Sequence, residues 1–143
     1  MIENIKNKND LYAIIVRSKY RKKNGINFFT PDKLNLQCGF MKKKKNYVIN
    51  PHLHQKRSNK VFYTSETLII LKGKVRIDFY DTKKKYLLSK ILGAFDIIIL
   101  IKGGHGFKIL TNCEMIEVKQ GPYMFLKDKE KFHMEKIKKL KIK

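Results

Sequence analysis

Four side chains able to hold a divalent cation or move a proton fall in the middle of this 143-residue chain. His52 and His54 lie one residue apart in "NPHLH", directly after Pro51. Proline biases Asn50 away from helix, so the stretch reads as extended. In an extended chain residues i and i+2 point the same way, so the two imidazoles can share one ion. The same spacing also describes two solvated histidines on a wet strand, and the pair alone does not choose. Glu66 opens the apolar run "TLIILKG"; a carboxylate entering a buried strand needs a partner, because an unpaired buried charge is costly. His105 sits in "KGGHGF", where the flanking glycines permit a tight turn and close backbone approach.

A second set of polar residues could act on a ligand. Gln37 in "LNLQCGF" could hydrogen-bond a substrate or serve as an ordinary strand residue. In "EMIEVKQGPY", Glu117 and Lys119 alternate with Ile116 and Val118, so the charged pair shares one face. Glu117 there is a candidate acid or base, Lys119 a candidate ligand contact, and Tyr123 a candidate proton donor. A solvated ion pair is the competing reading of Glu117 and Lys119.

The elements that must position these groups read as strands. "LYAIIV" (11–16), "INFFT" and "LNLQCGFM" (34–41) come first. "ETLIILKG" and "KVRIDFYD" flank Gly73 and are expected to form a hairpin. In the second, Val75, Ile77 and Phe79 alternate with Lys74, Arg76 and Asp78, the period of a half-buried strand. "KKKYLLSKIL", "DIIILI", "GGHGFKIL" and "EMIEVKQ" follow, with "DIIILI" apolar enough to be buried on both faces. Only residues 128–143 have helix-forming composition, and they are rich enough in lysine to fray. Many short strands without a long helix predict one all-β domain over 1–143, with a core at about 11–126 and a basic tail at 127–143.

The formal net charge is +21. Nearly all of the positive charge is lysine in short runs; the arginines are Arg17, Arg21, Arg57 and Arg76. Specific nucleic-acid recognition favours arginine's planar fork, so the charge reads as solvated faces with no specific nucleic-acid partner. Cys38 and Cys113 lie far apart with no CxxC, which fits a reducing cytoplasm. The longest apolar run, "IIILI", is far below the ~20 residues of a membrane span, so no membrane insertion is expected.

With order and spacing taken together, residues 51–107 resemble the cupin superfamily. "HLH", then Glu66, "TLIILK" and Gly73 match its first motif, and "DIIILIKGGHGF" with His105 resembles its second. The segment between His54 and Glu66, "QKRSNKVFYTS", is longer than is usual there. The later "EVKQGPY" resembles a stretch in small cupins linked to polysaccharide or nucleotide-sugar biosynthesis. The resemblance implies a jelly-roll barrel whose mouth holds a divalent Fe, Mn, Ni or Zn ion on His52, His54, Glu66 and His105. It implies a small polar ligand (a sugar, nucleotide-sugar or carboxylate), and isomerase, epimerase or dioxygenase chemistry if the protein is an enzyme. Two further readings stay open: a metal-free isomerase or epimerase with His54 as base and Tyr123 as proton donor, and a non-catalytic binding module. A homodimer through N-terminal strands is a further expectation of the resemblance.

Overall fold

The computed structural model describes residues 1–123, 128–133 and 139–143. Ten strands run through them: β1 (Ile2–Asn7), β2 (Asp10–Val16), β3 (Gly25–Phe28), β4 (Gly39–Lys42), β5 (Glu66–Lys72), β6 (Lys74–Tyr80), β7 (Tyr86–Gly93), β8 (Ile97–Leu100), β9 (Gly104–Ile109) and β10 (Glu114–Lys119). No helix occurs among the described residues. The strands form three antiparallel sheets, ordered β1-β2-β8-β5-β10, β7-β6-β9 and β3-β4. The all-β expectation therefore holds, while the pairing shows separate sheets rather than a closed barrel.

Alternation builds the core. Ile5, Tyr12, Ala13, Ile15, Leu68, Ile70, Ile98 and Leu100 from the five-stranded sheet meet Val75, Ile77, Phe79 and Leu92 from the three-stranded sheet in one buried cluster. The opposite face of the large sheet presents Ile14, Val16, Ile99 and Ile101, and the segment through β3 and β4 covers them with Tyr20, Phe29, Leu34, Leu36 and Cys38. Both faces of β8 are thus covered, as the unbroken isoleucine run predicts.

The expected hairpin across Gly73 does not form. β5 pairs with β8 and β10, whereas β6 pairs with β7 and β9. Gly73 is the corner at which the chain leaves one sheet for the other. It adopts φ +81°, and a Cβ there would lie 2.0 Å from the Asn112 carbonyl oxygen. Only glycine fits both demands.

The tail departs from the helical expectation at residues 128–133 and 139–143, while residues 134–138 of that stretch lie outside the described residues. Residues 139–143 are extended, and the Ser89 N–H donates to the Lys141 carbonyl at 2.9 Å while the Lys143 N–H donates to the Ser89 carbonyl at 3.2 Å. Lysine repulsion disfavours an isolated helix there, and the unpaired edge of β7 offers the backbone an alternative set of partners. Beneath it lies a polar network: Arg76 grips Asp78 through two 2.9 Å bonds, Ser89 Oγ is 2.5 Å from Asp78, and Tyr86 Oη is 2.7 Å from Ser89 Oγ. At the far end of the large sheet, Arg17 bonds Glu3 and Asp96, and Lys90 also bonds Glu3.

Candidate functional site

Glu66 begins β5, two and four residues ahead of the core residues Leu68 and Ile70, so alternation turns its carboxylate to the inner side. His105 lies in β9 opposite the core residue Phe79 and faces the same interior from the other sheet. The two side chains meet across the gap, His105 Nε2 lying 3.3 Å from Glu66 Oε2. Gly103 permits this approach: it holds φ +78°, and a Cβ on it would strike the Tyr12 ring at 2.4 Å. The chain thereby turns from β8 into β9 tightly enough to bring His105 over Glu66.

Lys119 completes the group from a third strand. It stands directly opposite Glu66 in the β5–β10 ladder, on the same face. Its ammonium is bonded to the Asp128 carboxylate and lies 4.7 Å from the centre of the Tyr123 ring. The bond from His105 holds the Glu66 carboxyl below the usual carboxylate range; burial works against that shift, and the charges of His105, Lys119 and Lys129 add to it. Asp128 raises the Lys119 pKa, so the ammonium stays charged. His105 also packs against Phe107, ring centres 5.3 Å apart. The result is a cation, a carboxylate and an imidazole at the open edge between β5, β10 and β9, with an apolar wall behind them.

His52 and His54 stand apart from this group. They lie in the irregular exposed stretch between β4 and β5, their rings 5.3 Å apart, with His52 Nδ1 3.0 Å from the Asn50 carbonyl oxygen. Among the described residues no three His, Cys, Asp or Glu side chains gather as a metal-holding group. The donor set His52, His54, Glu66 and His105 is thus present as two separate pairs, and as arranged it does not fit a single ion. Gln37 is engaged elsewhere: its amide donates to the Pro31 and Leu34 carbonyls at 3.0 and 2.7 Å, and its oxygen accepts from Thr30 at 3.0 Å, which ties the 30–38 turn. Glu117 is exposed on the Lys119 face, opposite Leu68. Tyr123 is exposed beside Lys119.

No protein-family model, curated protein or solved structure matches the chain. Asp128 is the participant that sequence reading passed over. It lies in a lysine-rich tail with no motif around it, and only the fold-back of that tail brings it to Lys119.

Proposed function

We propose that the protein binds a small polar ligand of the sugar, nucleotide-sugar or carboxylate class at the Glu66–His105–Lys119 edge, and moves a proton on it. The single observation that carries this reading is the Glu66–His105 contact at 3.3 Å with Lys119 opposite Glu66. A carboxylate accepting the Nε2–H of an imidazole fixes the tautomer and leaves Nδ1 free to take a proton. His105 is then the base in the role the metal-free reading gave to His54. A proton removed from a carbon beside a ligand carbonyl leaves an enolate, whose oxygen the Lys119 ammonium stabilises. Returning the proton to the other face, or to the neighbouring carbon through Tyr123, gives an epimer or an isomer with no redox partner. The cupin-type jelly roll implied by the motif order is part of the same proposal.

The test is deuterium exchange. Nucleotide-sugars and keto-sugars that raise the melting temperature are incubated in D2O, and the exchanged carbon is read by proton NMR. Exchange with the natural protein and none with His105→Gln is the expected result. Ligands that bind without any exchange would reduce the reading to a binding module.

The donor chemistry favours a second reading in one respect. His52 with His54 and Glu66 with His105 together make a three-nitrogen, one-carboxylate set suited to divalent Fe, Mn, Ni or Zn. Residues 55–65 are long enough, at ~3.3 Å per extended residue, to carry one pair onto the other. Metal analysis of tag-free protein decides it. One transition-metal ion per chain, lost in His52→Ala/His54→Ala, supports a metal centre; metal-free protein with intact exchange excludes it.

A further inference from the structure

The strongest unassigned feature is electrostatic. An open depression of about 600 Å³ is lined by Arg21, Lys22, Lys23, Asn27 and Lys42. Neither Glu66, His105 nor Lys119 lines it, so it is separate from the Glu66–His105 edge. Four of its five lining side chains are cations. None of those four forms an ion pair among the described residues, although Arg17, Lys72, Arg76, Lys84, Lys90, Lys102 and Lys119 all find carboxylates. The chain carries 12 acidic residues against 33 basic ones, and no carboxylate is among the side chains that line the depression.

The fold holds these cations together. Arg21 Nη1 donates to the Ser18 and Tyr20 carbonyls, both at 2.7 Å, which anchors one edge of the guanidinium to its own turn. Tyr20 packs edge-on against Phe40 of β4, ring centres 5.7 Å apart, and this joins the 17–24 turn to the β3–β4 hairpin. In that hairpin Lys42 pairs with Gly25 and Phe40 with Asn27, so alternation puts Lys42 and Asn27 on the Phe40 side, toward the turn. Like charges are therefore held side by side by packing that does not depend on them, and an anion that enters relieves their repulsion.

We propose that this depression binds a condensed phosphate, a diphosphate or triphosphate group, free or carried by a nucleoside. The cations come from a turn on one side and a strand end on the other, a spread suited to linked phosphates rather than to one tetrahedral anion. Single-stranded nucleic acid fits less well. Its bases need exposed aromatic faces beside the basic track, but the exposed Phe28 projects from the opposite side of β3 to Asn27.

Calorimetric titration at physiological salt tests this with inorganic pyrophosphate, ADP, orthophosphate and a short single-stranded oligonucleotide. The pocket variant is Lys22→Gln/Lys23→Gln/Lys42→Gln, and the charge-matched control is Lys56→Gln/Lys83→Gln/Lys85→Gln. All six positions are exposed, so both variants should melt like the natural protein. The expected result is one pyrophosphate site at least tenfold tighter than orthophosphate, weakened at least tenfold in the pocket variant and less than twofold in the control. ADP binding tenfold tighter than pyrophosphate identifies a nucleoside diphosphate; equal binding identifies a free condensed phosphate. Equal weakening in both variants, no pyrophosphate binding, orthophosphate binding as tightly, or tighter binding of the oligonucleotide would overturn the proposal.

Discussion

Asp96→Ala should cost the protein about 3 kcal/mol without touching the candidate site. The Asp96 carboxylate accepts from Arg17 Nη1 at 2.9 Å, the Ser18 N–H at 2.8 Å and the Gly93 N–H at 3.1 Å. Its side chain is 9% exposed, so these bonds are made largely out of water. Breaking a buried ion pair costs about 3–5 kcal/mol, because the partner charge is stranded. Arg17 keeps Glu3, at 2.5 Å, and so is not fully stranded. That places the loss near the lower end of the range, with the two orphaned backbone donors as its second source. At about 3–4 °C per kcal/mol for a chain of this length, the melting point should fall by about 10 °C. Urea unfolding measures it directly, with an unchanged slope showing that the unfolded state is unaltered. Arg17→Ala in the same cycle should be markedly less than additive with Asp96→Ala. A loss below about 1 kcal/mol, or full additivity, would refute the assignment of this cluster as a staple. Ligand binding should persist, because Asp96 precedes β8 at the end remote from the Leu100–Glu66 pairing.

His105→Gln should raise the Glu66 pKa toward the ordinary carboxylate value, read by carbon-13 NMR of the glutamate carboxyls. Because the folded pKa is depressed, the stability that Glu66 contributes is present above its unfolded value and is lost as the pH falls through the folded one. In the natural protein, acid unfolding should therefore carry a component that His105→Gln removes. Gly73→Ala should destabilise by roughly 2–3 kcal/mol or more, since it adds left-handed strain to a collision with Asn112, and thermal melting checks this. Removing residues 139–143 should cost about 2 kcal/mol, from two backbone bonds at about 1 kcal/mol each, and should speed hydrogen exchange at the Ser89 amide.

Strand positions were legible where side chains alternate or stay apolar throughout. Lys74–Tyr80 and Ile97–Leu100 show the two patterns, and both are strands where the sequence puts them. β1 was not foreseen, because a register shift between Ile5 and Lys6 breaks its alternation. Partner choice was less legible than position. A lysine–glycine–lysine turn between two apolar runs suits a hairpin and a corner equally, and only the competition of β8 and β10 for the edges of β5 decides. Of the candidate site, the sequence marked Glu66, His105 and Lys119, which the strand register unites. It could not show that His52 and His54 lie on exposed irregular chain, because an HxH pair carries no record of what its backbone pairs with. Asp128 was illegible for the same reason in reverse, its role resting on where a tail folds back.

The order β1-β2-β8-β5-β10 also has a consequence for synthesis. β2 is finished at Val16, but the strand that covers its free edge begins only at Ile97. A ribosome making this chain therefore exposes one edge of "YAIIV", with the backbone groups that will face β8 unpaired, while most of the protein is still to come. Refolding faces the same delay, since β8 cannot seat until distant β2 and β5 are both in place, and such non-local pairing is slow. Until β8 is made, the apolar face and free edge of β2 are the part of the growing chain most open to wrong pairing.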